Sequence, residues 1–322
     1  MSELLPTLRV HAIDPEPDRP LWLVQDLWGA CAVGVIGGAP KACKSMLGLD
    51  LAVSVASATP CLGRFEVHTP GPVLVYLAED ALPRVRDRVA QLCLHRGLSL
   101  QSLDLHVVTA PALRLDLDRD RDALDQTLAE IHPKLLVLDP LVRLHCLDEN
   151  SAADVSGLLS FLRHINRRHK LALVLVHHMA KRSRRDLGQA LRGSSDLHAW
   201  TDSACYLVRR NDQRLQLTVE HRSAPAPDPL LLRLVSGDDE PLRLLIDGDE
   251  VAPQPLAEAI RCELRRSPRP VSRTALRELL HVNNARLGEA LLTLEKQSLV
   301  LRSSDGWYLP SEIDSSQTDL FS

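Results

Sequence analysis

The residues from Gly38 to Ser45, Gly-Ala-Pro-Lys-Ala-Cys-Lys-Ser, carry the spacing of a phosphate-binding loop, G-x-x-x-x-G-K-[ST]. A polyphosphate needs a concave row of backbone N–H groups at the start of a helix. Gly38, Ala39, Pro40, Lys41, Ala42 and Cys43 are placed to wrap it. Lys44 would reach the terminal phosphates as a mobile point charge. Ser45 would set its hydroxyl on Mg²⁺. Gly37, Gly38 and Pro40 shape the turn, since Gly accepts positive φ and Pro fixes φ. One position departs from the pattern: Cys43 stands where the second glycine belongs. If the loop needs positive φ there, Cys43 is strained. An ordinary Gly-rich turn is the competing reading, and the strand before it and the helix after it weigh against that reading.

Four further groups could share this chemistry. Asp139 ends the apolar run Leu135-Leu-Val-Leu-Asp139, where a carboxylate can anchor the hydration shell of Mg²⁺. It could instead cap the next segment, because Asp139-Pro140 also starts a turn. Glu79 and Asp80 follow the run Val73–Leu77. Glu79, the first polar residue in line with that strand, could orient the attacking water or accept its proton. Asp80 could cap the following helix. His177 and His178 end the run Leu171–His178, and adjacent strand residues point to opposite faces. Only one can face a γ-phosphate; His178 is the expected sensor, against the alternative of a hydrogen-bonded core histidine. Arg209 and Arg210 end a later strand, where either could be an arginine finger or a surface pair. The basic stretch Lys181-Arg-Ser-Arg-Arg185 is either a solvated charge run or a grip on DNA phosphates.

The elements that must hold these groups are legible as a pattern. Apolar runs at 32–36, 73–77, 105–108, 135–139 and 171–178 alternate with helical periodicities that follow Lys44 and span 83–96, 120–131 and 154–169. Strands apolar throughout, alternating with helices, imply an α/β fold with a mostly parallel sheet covered on both faces. Ligands of such sheets lie at the carboxyl ends of the strands, where residues 37–45, 79–80, 139 and 177–178 all fall. After Lys181 the pattern changes to an antiparallel pair, Ser203–Val208 and Arg214–Val219, turning at Asn211-Asp212. A Pro-rich connection, Ala224–Pro229, leads to short strands at Leu231–Val235 and Leu242–Ile246. From Pro253 it resets. Helices at Leu256–Arg266, Arg273–Leu280 (opened by Ser272) and Asn283–Gln297 precede a hairpin of Leu299–Arg302 and Gly306–Leu309. Three helices and a hairpin describe a winged helix-turn-helix, which could read DNA with Asn283–Gln297 in the major groove or serve as a protein-interaction or capping module. The expected division is 1–252 for the nucleotide domain, 253–310 for the winged helix and 311–322 for a disordered polar tail.

Composition narrows the class. The net charge of −4 gives no global field that draws in nucleic acid, so DNA binding must use local patches. Residues 261–302 supply one, with nine Lys/Arg against four Glu. The seven cysteines include no C-x-x-C pair, which excludes both a disulfide framework and a zinc site as expectations. No signal peptide or spanning apolar run is visible, so a cytoplasmic protein with no membrane contact is expected.

The ordered set G-G-A-P-K-A-C-K-S, L-G-R-F, L-A-E-D, L-L-V-L-D-P, L-V-H-H-M-A-K and R-G-S-S resembles the RepA-like ATPases. These are RecA-fold proteins similar to the hexameric replicative helicase of broad-host-range plasmids. The resemblance covers residues 20 to 220. It implies an ATP-binding core that uses ATP and Mg²⁺, assembled as a ring with the site between subunits. It implies Lys44 and Ser45 on phosphates and Mg²⁺, Glu79 as catalytic carboxylate, Asp139 as the metal-site aspartate, His178 as sensor, and Arg209 or Arg210 as finger. Cys43 departs from the family's usual glycine, which bears on the hydrolysis rate rather than the fold. The tail Gln317-Thr-Asp-Leu-Phe321 resembles the pentapeptide by which bacterial replication and repair proteins bind the sliding clamp.

Two readings follow. In one, the chain is a Mg²⁺-dependent, DNA-associated oligomeric ATPase, a helicase in its finer form, working on single-stranded DNA as a hexamer in replication, recombination or repair. In the other, it is a nucleotide-binding, DNA-binding regulator or assembly factor with slow or absent turnover. Action on a small molecule is a third reading, for which no pocket signature is visible.

Overall fold

The computed structural model describes residues 7–13, 21–147, 152–178, 195–210, 214–236, 240–247, 256–267, 269–280 and 284–310. A two-stranded ribbon comes first, β1 (Trp22–Val24) against β2 (Trp28–Gly29), with Trp22, Leu23, Val24, Leu27 and Trp28 all buried. Then follow β3 (Val33–Gly38), α1 (Lys44–Ser57), β4 (Val73–Leu77), α2 (Leu82–Arg96), β5 (Leu105–Val107), α3 (Asp118–Ile131), β6 (Leu135–Asp139), α4 (Ala152–His169), β7 (Ala172–His178), α5 (Ser195–Trp200) and β8 (Ser203–Arg209). β9 (Leu215–His221), β10 (Leu230–Val235) and β11 (Arg243–Ile246) complete the main sheet.

Among the described residues nine strands form one sheet in the order β11-β10-β9-β8-β3-β7-β6-β4-β5. The six from β8 to β5 are parallel, and β9, β10 and β11 extend that sheet antiparallel from β8. β3 lies between β7 and β8, so its carboxyl end emerges at the middle of the sheet.

Alternation along each strand divides the core into two layers. Ile36, Val75, Val137, Val174, Val176 and Leu207 pack with α1 and α2 on one face. Val33, Val35, Tyr76, Leu138, Leu173 and Leu175 pack with α3, α4 and α5 on the other. α1 is buried nearly all round, from Lys44 through Val55, because both the sheet and α2 cover it. Its one carboxylate, Asp50, is buried with partners to match. Oδ1 accepts from Arg96 Nη2 (2.8 Å), the Leu62 backbone N–H (2.8 Å) and Cys61 Sγ (3.3 Å). A buried ion pair costs desolvation; here the Asp50 oxygen is offset by three donors, while Arg96 Nη1 is buried without a hydrogen-bond partner among the described residues. The pair pins the turn after α1 to the end of α2.

The last elements are α6 (Leu256–Arg266), α7 (Arg273–Leu280), α8 (Asn284–Lys296) and a hairpin of β12 (Leu301–Ser303) with β13 (Gly306–Tyr308). They close around their own apolar cluster, including Ile260, Leu264, Leu276, Leu287, Leu291 and Trp307. Ser272 Oγ accepts the Ala275 N–H at 3.1 Å, the expected cap of α7. Asn283, expected to cap α8, lies outside the described residues, as do the Asn211-Asp212 turn and residues 311–322.

Candidate functional site

β3 stops at Gly38 because the chain must turn out of the middle of the sheet, and the turn is tight on its β8 side. A Cβ on Gly38 would come within 2.6 Å of the Leu207 carbonyl oxygen, so only glycine fits. The loop then takes two left-handed residues, Lys41 (φ 64°) and Cys43 (φ 60°, ψ 25°). Alternating hand of this kind turns successive N–H groups toward one point and makes an anion-binding concavity. Neither residue is glycine, and a side chain in this conformation costs about 1–2 kcal/mol. Cys43 is also the N-cap of α1 and offers no side-chain cap, so the first N–H groups of the helix keep their capacity for an anion. Burial pushes the Cys43 thiol up, while Arg209, Arg88 and Lys44 nearby pull it down.

Lys44 is only 6% exposed. Its Nζ donates to the Ala39 carbonyl (2.9 Å) and to His178 Nδ1 (3.2 Å). An ammonium has no acceptor capacity, so His178 Nδ1 accepts and its ring proton lies on Nε2. Burial lowers the Lys44 pKa; Asp139 and then Glu79 oppose that shift. On β7, Val174 and Val176 face α1, so His178 faces α1 too. His177 points to the opposite face and is 3% exposed.

Asp139 ends β6 beside this group and is 7% exposed. Burial raises its pKa to about 6; a hydrogen bond from Ser45 and the charge of Lys44 hold the rise back, and Asp80 and Glu79 add to it. Ser45 and Asp139 are therefore in contact, a hydroxyl and a carboxylate in one place. Mg²⁺ takes oxygen ligands, usually one or two carboxylates with phosphate oxygens and waters, rather than a protein cage. The pair fits that donor set. Among the described residues no cluster of three or more His, Cys, Asp or Glu forms a separate metal site.

The remaining candidates are held more loosely. Glu79 Oε1 accepts from Arg143 Nε at 3.0 Å, with the side chains 50% and 61% exposed. Such a pair is worth no more than about 1 kcal/mol. Asp80 does not cap α2, contrary to the alternative raised for it. Ala81 holds that position without a side-chain bond, and Asp80 pairs with Arg88 at 2.5 Å. Arg209 Nη2 donates to the Lys41 carbonyl at 2.8 Å, within the same chain. Arg210 is exposed, and its backbone N–H bonds the Arg214 carbonyl across the β8–β9 hairpin. The structure thus gathers Lys44, Ser45, Asp139, His178, Glu79 and Arg209 around the loop, while Arg210 contributes its backbone to the hairpin. Residues 181–185, Arg192-Gly-Ser and the tail 317–321 lie outside the described residues.

Sequence reasoning missed Arg143 and Arg88, the cations that hold Glu79 and Asp80. Their signal is faint: Arg143 lies just past Asp139-Pro140, and Arg88 is one of several arginines on α2.

A family model described as "AAA domain" matches residues 2–184, more than half of the chain. The chain belongs to that family. Among solved structures it is similar to a DnaB-like replicative helicase studied with primase. The TM-score is 0.51 and the identity 13%, over 67% of this chain and 59% of the helicase. The match therefore spans less than two-thirds of the helicase. A RadB recombinase aligns with TM-score 0.49 and 16% identity over 64% of this chain and 88% of its own. The helicase likeness shows the fold, a RecA-type α/β core, and the P-loop geometry gives that core its candidate nucleotide site.

Proposed function

We propose that the protein is a Mg²⁺-dependent ATPase that works on DNA as an oligomer, with a hexameric ring and helicase activity as its finer form. The observation that carries the reading is the convergence of Lys44, Ser45, Asp139 and His178 at adjoining strand ends, around a loop built to receive an anion. Mg²⁺, when bound, would supply positive charge against the charge that develops on the phosphoryl group. Ser45 and Asp139 would hold it. Lys44 would exchange the Ala39 carbonyl and His178 for phosphate oxygens. After that exchange His178, at the end of β7 on the α1 face, would sense the γ-phosphate. Glu79 would leave Arg143 to orient the attacking water and take its proton. Arg209 or Arg210 serves as a finger toward a neighbouring site in the ring reading.

DNA association has support of its own. α4 carries no carboxylate from Val155 to His169. Ser156, Ser160, Arg163, His164 and Arg167 line a groove of about 430 Å³ beside Trp200. Arg163 lies 5.4 Å from the Trp200 ring centroid with its guanidinium held by Asp202, which leaves the exposed Arg167 as the cation open to a strand. Cations beside an aromatic ring are what a single strand's phosphates and bases use. The α6–β13 unit reads as a winged helix that binds DNA, with α8 as its reading helix. Gln317–Phe321 reads as a sliding-clamp peptide. A cytoplasmic location accords with the absence, among the described residues, of any helix long and apolar enough to cross a membrane.

The alternative of a nucleotide-gated regulator draws on two observations, the strained Cys43 and the Arg143 hold on Glu79. Magnesium-dependent ATP turnover, measured with and without single-stranded DNA, separates the two. Turnover raised several-fold by DNA supports the motor. Nucleotide binding without turnover supports the regulator.

A further inference from the structure

We infer that Arg209 is a positioning residue for the phosphate-binding loop of its own subunit, holding that loop in shape where Cys43 replaces a glycine. The inference rests on the nucleotide-binding reading and concerns one residue of that site.

The geometry starts from the sheet. β8 runs parallel beside β3, with Gly37 opposite Tyr206 and Gly38 opposite Leu207. Leu207 packs on the α1 face. Strand alternation puts Arg209 on that same face, directly beyond the start of the loop, and Arg210 on the other. The approach is close, since the Leu207 carbonyl already excludes any Cβ on Gly38. From there Arg209 Nη2 donates to the Lys41 carbonyl at 2.8 Å. Lys41 is one of the two left-handed residues, Cys43 is the other, and Ala42 between them is buried.

A loop with a glycine at 43 adopts this shape freely. With a cysteine there, the strained conformation persists only when surrounding contacts over-determine it. The charge-assisted bond from Arg209 is such a contact, anchored to a sheet strand rather than to the loop itself. Arg209 also adds positive charge beside Cys43, together with Arg88 and Lys44, on the side where a polyphosphate would enter. In this role it favours nucleotide binding in its own subunit, which a finger aimed at a neighbour would not do.

The test uses the full chain as wild type, Arg209→Ala, Arg209→Lys and Arg209→Ala/Cys43→Gly. The first readout is hydrogen exchange of residues 39–44 without nucleotide. The expected result is faster exchange in Arg209→Ala, slowed again by the added Cys43→Gly. The second is affinity for a fluorescent ADP with Mg²⁺. Arg209→Ala is expected to weaken it about tenfold, with Arg209→Lys intermediate and Cys43→Gly restoring most of the loss. For ATP turnover the change falls mainly on KM. Unchanged exchange and unchanged ADP affinity in Arg209→Ala, with kcat lost and no rescue by Cys43→Gly, would overturn the inference in favour of a finger acting on the neighbour. A wild type that binds no nucleotide would overturn the functional reading itself, and exchange of residues 39–44 that Arg209→Ala leaves unaltered would then sink the positioning role separately.

Discussion

The two halves of the site are built differently. Lys44, Ser45, Asp139 and His178 sit on β6, β7 and the head of α1, and Lys44 and Asp139 are nearly buried. Each is already bonded to another member of the group. Glu79 and Arg209 lie at the rim, exposed, Glu79 bonded to Arg143 and Arg209 to the Lys41 carbonyl of the loop. The buried half is fixed by the sheet and suits binding. Within the rim, Arg209 braces the loop, and the exposed Glu79 suits a step that must wait for a signal. In the proposed ATPase, binding would be built into one subunit and hydrolysis would wait on Glu79.

Breaking the buried half should have the largest effect. Asp139→Asn is expected to lower magnesium-dependent turnover by about 100-fold or more, because it removes the carboxylate that would hold the ion. The same change should stabilise the fold. Asp139 has its pKa raised to about 6 by burial. Between the unfolded carboxylate's range near 4 and pH 6, the folded state binds the extra proton, so stability from this group is present at low pH and declines as pH rises toward 6. At neutral pH its ionisation costs on the order of 1–3 kcal/mol. A thermal melt at pH 7.5 should therefore show Asp139→Asn above wild type. A melt in which Asp139→Asn is less stable would mean the ionised group is better compensated than its burial indicates.

The rim is tested through Glu79. Glu79→Gln should cut turnover by about 100-fold while leaving nucleotide affinity within a few-fold. Arg143→Ala should raise basal turnover a few-fold, since it releases Glu79 from a weak surface pair. A fall in both affinity and turnover in Glu79→Gln would show that the two halves are not separable.

Cys43→Gly should have the smallest effect on its own. It relieves the left-handed strain and adds backbone freedom to the unfolded chain, two contributions of opposite sign. A net gain of no more than about 1 kcal/mol is expected by chemical denaturation.

The same contrast explains what the sequence made legible. The strand ends at Leu77, Asp139 and His178 follow from apolar runs that stop at a polar residue, which is local information, whereas the first strand runs two residues past its expected end at Ile36, to Gly38. The parallel order of the sheet follows from the alternation of strands and helices. Contacts of the rim are not local. Glu79 meets Arg143, and Arg209 meets Lys41 only because β8 lies beside β3. Nothing in the run of residues around Arg209 distinguishes a bond within the chain from a reach to a neighbour. Asp50 was equally silent: an aspartate inside Met-Leu-Gly-Leu-Asp-Leu-Ala-Val reads as an oddity until Arg96 and the Leu62 N–H are seen around it.

Calorimetric titration of ATP with Mg²⁺ into wild type and Lys44→Ala tests most directly whether this loop is a nucleotide site. The expected result is saturable binding to wild type that weakens by at least about 100-fold in Lys44→Ala, with the variant still folded by circular dichroism. Equal binding by the two proteins, or none by either, would contradict the assignment of residues 38–45 as the phosphate-binding loop.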